Sequence, residues 1–118
     1  MSALISWFEI PTSDINRAAQ FYGALLATDL SVLDLGALKM VLLPDGGALV
    51  QHPTAYHPSH EGPLLYLDGG EDMTELLSRV EIAGGRIIRE KTQVSPSFGY
   101  MALFEDTEGN RLAIRSLG

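Results

Sequence analysis

The 118-residue sequence predicts an α+β domain built from two copies of a βαβββ unit. Three observations carry that expectation. Two amphipathic helical stretches each follow one short apolar strand and precede three more. The turns before the last strand of each half contain a glycine at matching places, Gly47 and Gly109. Each half alone would also leave an apolar sheet face without cover, which a second copy supplies. A ferredoxin-like sandwich shares the two helices and stays open as the competing arrangement. The units are placed at about 4–52 and 63–116 of a single domain spanning 1–118, with a loop over 53–62.

The first unit opens with Leu4 to Ile10, apolar with a period near two and bounded by Pro11, which reads as a strand. Asp14 then supplies helix-start chemistry, because its carboxylate can accept from the free amides of a first turn. Ile15, Ala18, Ala19, Tyr22 and Leu25 follow at helical spacing, opposite polar Asn16, Arg17 and Gln20. Leu30–Leu35, Leu38–Leu43 and Ala48–Gln51 are three short strands, separated by Gly36 and by Pro44-Asp45-Gly46-Gly47. The second unit begins with Leu64–Leu67. Asp72-Met73-Thr74-Glu75 has capping-box spacing with Asp72 as the cap. Met73, Leu76, Leu77, Val80 and Ala83 form the apolar face of a helix that Gly84-Gly85 ends. Arg86–Arg89, Tyr100–Phe104 and Arg111–Ser116 complete the repeat, the last two joined by a turn over Asp106 to Asn110.

Composition narrows the function. Fifteen acidic against eight basic side chains give a net charge of −7, which disfavours nucleic acid and anionic membranes as partners. Cysteine is absent, so disulfides, thiolate metal sites and cysteine nucleophiles are excluded. Met1 to Ser6 lacks the basic start and apolar core of a signal peptide, and no apolar run is long enough to span a bilayer, so a cytoplasmic location is expected.

Four segments resemble the vicinal-oxygen-chelate superfamily of glyoxalases, bleomycin resistance proteins and dioxygenases. They are Trp7-Phe8-Glu9-Ile10-Pro11 through Asp14, Arg17-Ala18-Ala19-Gln20-Phe21-Tyr22, Val80-Glu81-Ile82-Ala83-Gly84-Gly85, and Phe104-Glu105-Asp106-Thr107-Glu108-Gly109-Asn110-Arg111. The resemblance covers nearly the whole chain, and the last segment is its most specific part. It implies a cupped, mostly antiparallel, glyoxalase-like sheet with helices outside, ligands bound in the cup, and a homodimer. In metal-dependent members four His or Glu ligands line the cup. Their positions here fall on Trp7, on Gln51 counted four residues past Gly47, among Pro63, Leu64 and Leu65, and on Ala113. Indole, proline, leucine and alanine side chains do not ligate divalent cations, and a primary amide is a weak ligand. The resemblance therefore implies the metal-site-lacking branch, with no metal and no cofactor. The histidines His52, His57 and His60 share one proline-containing loop whose spacing fits no familiar metal site.

Strand alternation then places Ile5, Trp7 and Glu9 toward the cup, with Phe8 and Ile10 toward the helices. Met101, Leu103 and Glu105 share the cup side, as do Arg111 and Arg115 by their parity with Ala113, while Tyr100 and Phe104 face a helix or a partner subunit. Glu9 has two open readings, an acid–base group in a partly apolar cavity or an ion pair with Arg111 or Arg115. Trp7 either stacks on a planar ligand or plugs the space, and Gln51 either orients a ligand or satisfies backbone. The loops His52–Pro63 and Gln93–Phe98 are expected to cover the cavity, with Tyr56 the side chain of most interest. The expected function is metal-independent binding of a small organic molecule by Trp7, Glu9, Gln51, Met101, Leu103, Arg115 and Tyr56. The alternatives are a metal-free lyase or isomerase with Glu9 as the catalytic residue, a metal-dependent glyoxalase or dioxygenase with a non-standard site, and an interaction module whose cup is filled by its own side chains.

Overall fold

The computed structural model describes residues 4–118; residues 1–3, on which part of the leader-peptide expectation rests, lie outside it. The elements run β1 (Phe8–Pro11), α1 (Ile15–Leu26), β2 (Val32–Leu35), β3 (Leu38–Leu43), β4 (Gly47–Gln51), β5 (Tyr66–Asp68), α2 (Thr74–Ile82), β6 (Arg86–Ser95), β7 (Gly99–Glu105) and β8 (Arg111–Ser116). Two four-stranded mixed sheets result, ordered β1-β4-β3-β2 and β5-β8-β7-β6. In each, the opening strand lies parallel to the closing one and the remaining pairs are antiparallel. The repeated βαβββ order read from the sequence is the observed order. No helix among the described residues is long and apolar enough to cross a membrane.

Helix α1 starts as its sequence dictates. The Asp14 carboxylate accepts from the Asn16 and Arg17 amides, and Ile15, Ala18, Phe21, Tyr22 and Leu25 are buried. For α2, Met73 already has helical angles, and the Asp72 carboxylate accepts from the Thr74 amide and hydroxyl. Those bonds, with Lys91 nearby, hold Asp72 at about 2. The reciprocal arm of a capping box is missing, because Glu75 bonds Arg79 one turn on instead. One core joins the two halves, with Ile10, Phe21, Tyr22 and Leu49 from the first and Met73, Val80, Phe104 and Ile114 from the second.

Several strand limits differ from those expected. β1 begins at Phe8, not Leu4, because its only neighbour is β4, which starts opposite Phe8 at Gly47. Leu4, Ile5 and Trp7 therefore precede the strand, and Ile5 is 63% exposed rather than turned into a cup. β5 is shifted to Tyr66–Asp68. β6 runs on to Ser95 through register shifts, so Gln93 to Ser95, expected in a loop, belong to a strand.

The β7–β8 turn, the most family-like segment, ties the second half to the first. Tyr22 donates to Asp106 at 2.7 Å, and Asn110 bonds both Asp106 and the Pro11 carbonyl. Glu108 accepts from the Ser13 and Asp14 amides at 2.9 and 2.7 Å and takes two bonds from Arg17. Burial pushes the Tyr22 hydroxyl well above its usual range, and the facing Asp106 carboxylate adds to that.

Candidate functional site

The faces turned away from the helices are set by register. Ile10, Leu49 and Val41 pair across the first sheet and enter the core, so Glu9, Ala48 and Leu42 share the opposite face. In the second sheet Tyr66, Ala113 and Leu103 are paired on the face opposite Leu67, Ile114 and Ala102. The parity expected for Glu9, Met101, Leu103, Glu105, Arg111 and Arg115 is the one found, and Tyr100 and Phe104 pack with the core.

Of the two readings of Gln51, the structure shows the backbone one, and its place in the ligand count is corrected. Gln51 has the parity of Leu49, and its Oε1 accepts from the Ile15 amide at 2.7 Å, so it points under α1 and satisfies the helix start. The first hairpin turns through Pro44, Asp45 and Gly46, while the second uses Asp106 to Asn110. Counting equally from the two glycines therefore lands on opposite faces. The counterpart of Ala113 is Ala48, since Glu9↔Ala48 and Tyr66↔Ala113 are matching parallel pairs. The four positions that the resemblance marks for metal ligands then hold Trp7, Ala48, the Pro63–Leu65 stretch and Ala113. That donor set does not fit a divalent cation. No group of three or more His, Cys, Asp or Glu among the described residues is arranged to hold one.

Glu9 is the centre of what is assembled instead. Its carboxylate accepts from the Trp7 indole at 3.2 Å and from the Tyr56 hydroxyl at 2.5 Å. The hydrogen bond to Glu9, with some burial, raises the Tyr56 hydroxyl above its ordinary value. The expected ion pair of Glu9 with Arg111 or Arg115 does not form among the described residues; no carboxylate lies within 4.0 Å of either guanidinium. The two aromatic donors take both carboxylate oxygens.

Tyr56 belongs to the loop after β4, which is fastened at further points. The Ser59 amide donates to Asn110, and His60 Nε2 lies 2.5 Å from Glu105, which Arg86 also approaches. His52 Nδ1 accepts from the Thr54 and Ala55 amides, and His57 Nε2 bonds the Thr54 carbonyl. The histidines thus shape and anchor the loop. None of them bonds Glu9, and they form no cluster. Between this loop, β1 and the start of β8 lies a cavity of about 280 Å³, bordered by Glu9, Pro11, His57, Pro63 and Arg111. Arg115 stands apart from it, with Nε donating to the Phe98 carbonyl and the guanidinium 4.5 Å over the Phe98 ring. Of the seven residues expected to bind ligand, Trp7, Glu9 and Tyr56 meet directly, Met101, Leu103 and Arg115 share a face in the second sheet, and Gln51 lies elsewhere. Arg111, placed by the sequence on the same face as Ala113, borders the cavity beside Glu9.

The sequence pattern of the Glyoxalase/Bleomycin resistance protein/Dioxygenase superfamily matches residues 4–114. The anthracycline biosynthesis protein DauV of Streptomyces sp. (strain C5) is 30% identical over 92% of this chain, which spans 45% of that relative's length. A glyoxalase/bleomycin resistance protein/dioxygenase domain from Frankia sp. EAN1pec has a TM-score of 0.75 at 18% identity, covering 98% of this chain and 93% of its own. A family enzyme from Burkholderia phytofirmans PsJN has a TM-score of 0.70 at 15% identity, covering 96% and 98%.

Proposed function

The chain belongs to the Glyoxalase/Bleomycin resistance protein/Dioxygenase superfamily, and from that premise we propose that it binds a small organic molecule without a metal ion. The observation that carries this reading is Glu9, held by Trp7 and Tyr56 beneath an anchored loop, beside a cavity whose walls mix apolar Phe8, Pro63 and Leu65 with polar Ser59, Asn110 and Arg111. A concave site that pairs apolar walls with fixed polar groups is the usual form of a small-molecule site. Trp7 offers an indole face that is 45% exposed, and Glu9 orients a donor on the ligand. A homodimer is part of the proposal, because Leu33, Leu35 and Leu42 leave apolar surface exposed on the first sheet. The cytoplasm is its proposed location, resting on the sequence expectation alone. The lyase or isomerase alternative, with Glu9 as the acid–base group, has no separate observation in its favour.

A thermal-shift screen of small organic molecules, run in excess chelator, tests the reading. Hits that raise the melting temperature, and that Glu9→Ala or Trp7→Ala weakens, are expected. A screen without hits, or hits lost when chelator is added, contradicts it.

The loop fastening gives a separate expectation. Tyr56→Phe removes one exposed hydrogen bond and should change global stability by no more than about 1 kcal/mol. Limited proteolysis between residues 53 and 62 should nevertheless speed up, because that segment opens locally. An unchanged nicking rate would show that Glu9 does not hold the loop.

A further inference from the structure

The tripeptide Asp-Gly-Gly occurs twice, as Asp45-Gly46-Gly47 and as Asp68-Gly69-Gly70. Aspartate before glycine is open to attack by its own backbone. The next amide nitrogen closes a five-membered ring on the side-chain carbon, and glycine puts no Cβ in the way. The two copies share this local chemistry and differ in the backbone that holds them.

Asp45 and Gly46 form the tip of the turn between β3 and β4, with φ of +67° and +95°. Asp45 is exposed, and its carboxylate has no ion-pair partner among the described residues. In the peptide unit between them, neither the Asp45 carbonyl nor the Gly46 amide is bonded to described backbone. That unit can rotate without breaking a backbone hydrogen bond, and rotation brings the Gly46 nitrogen onto the Asp45 side-chain carbon. Asp68 is held differently. It lies in β5, its Oδ1 accepts from the Gly70 amide at 2.8 Å, and the Gly69 amide donates to the Arg115 carbonyl at 2.6 Å. Gly69 is also enclosed, since a Cβ there would meet the Arg115 oxygen at 2.8 Å and Met73 and Ile114 at 2.9 Å. Around Gly46 the corresponding space holds only the Ser6 carbonyl oxygen, at 3.7 Å, among the described residues.

We propose that Asp45 is a site of spontaneous isomerisation to isoaspartate and that the fold shields Asp68 from the same reaction. The Gly46 nitrogen attacks the Asp45 carboxyl in its acid form. The N–Cγ bond forms, and the carboxyl hydroxyl leaves with the amide proton as water. Water then adds to the main-chain carbonyl of the cyclic imide. The bond from that carbonyl to the Gly46 nitrogen breaks, and a proton returns to the nitrogen. The product has a free α-carboxyl and a chain that runs through the Asp45 side chain. Mass is unchanged, water is the sole co-reactant, and the main chain gains one carbon. That carbon enters beside β1. The Gly46 carbonyl accepts from the Phe8 amide at 3.3 Å, Gly47 pairs with Phe8, and the next pair is Glu9↔Ala48. Isomerisation therefore loosens the end of the strand that carries Glu9. The inference stands whether or not a small molecule binds there.

The test is ageing of the full chain at neutral pH and physiological temperature over weeks. Trypsin and electron-transfer fragmentation then separate isoaspartate from aspartate at equal mass. Cleavage after Lys39 and Arg79 leaves both aspartates in one peptide, 40–79, so each serves as the other's reference. Isoaspartate should build up at least about tenfold faster at Asp45 than at Asp68, because the Gly69 amide must first be released from its bond. In strong denaturant the two rates should converge, since the shared tripeptide alone then decides them. Asp45→Glu, which would need a six-membered ring, should abolish the product at that position and leave Asp68 unchanged. The Phe8 and Gly47 amide resonances should shift in the aged wild type and stay in place in aged Asp45→Glu. Comparable rates at the two aspartates in the folded protein, or isoaspartate at Asp45 only after denaturation, overturns the inference. An isomerised protein with Phe8 and Gly47 unmoved overturns the link to β1.

Discussion

Glu108→Ala is expected to lower stability by about 3 kcal/mol, measured by urea denaturation with the m-value unchanged. The Glu108 side chain is fully buried while its partner Arg17 is half exposed. Arg17 can return to water when the pair is broken. The Ser13 and Asp14 amides at the start of α1 lose their acceptor, and with it goes a tie between the two halves of the chain. Arg17→Ala should therefore cost less, since Glu108 keeps both amides and the Thr107 hydroxyl.

The same residue gives a pH dependence of definite sign. Burial pushes the Glu108 carboxyl up, but the bonds from Arg17, the Asp14 amide, Thr107 and the Ser13 amide together hold it below its ordinary value of 4.5. A carboxyl lowered on folding contributes stability that is fully present above the unfolded value and is lost as pH falls through the folded one. The melting temperature should thus drop more steeply below about pH 4.5 in the wild type than in Glu108→Gln. Parallel curves for the two proteins would remove Glu108 from the account of acid unfolding.

Gly85→Ala is the second large effect, also about 3 kcal/mol, at the upper end for overpacking. A Cβ at Gly85 would lie 2.6 Å from the Glu105 carbonyl oxygen and 2.7 Å from the Phe21 ring. The first is strand backbone. The second is a fully buried ring set edge-on against Tyr22 at 4.9 Å and tilted beside Phe104 at 6.2 Å. Neither neighbour can give way cheaply. Gly109→Ala is the informative contrast, because Gly109 has φ of +96° but open space around the would-be Cβ. It should lose only the strain of a left-handed residue, about 1 kcal/mol. Equal losses at the two sites would mean that backbone strain, not the approach of α1 to the second sheet, explains Gly85.

Legibility in the sequence followed the range of the forces involved. Helix α1, its Asp14 cap and the limits of β3 and β8 are written locally, in a 3.6-residue or two-residue period and a capping side chain. The start of β1 is not, because Leu4 and Ile5 are as apolar as a strand and only the lack of a partner opposite them ends the ladder. The face of Gln51 depends on the length of the first hairpin turn, and a turn one residue different reverses the face of every later residue in the count. The meeting of Glu9 with Tyr56, 47 residues away, has no local signal at all. Neither does the docking of His60 on Glu105.

The central claim is that this family fold binds an organic molecule with its own side chains, on the sheet face that carries Glu9. A two-dimensional nitrogen–proton NMR titration with a hit from the screen, recorded in chelator and again with excess divalent cation, tests it most directly. The predicted result is one set of shifts in both samples, centred on the Trp7 indole N–H, the Glu9 and Tyr56 amides, and Arg111. Shifts that appear only with the cation, or that map to the α1–α2 side of the sheets, would contradict it.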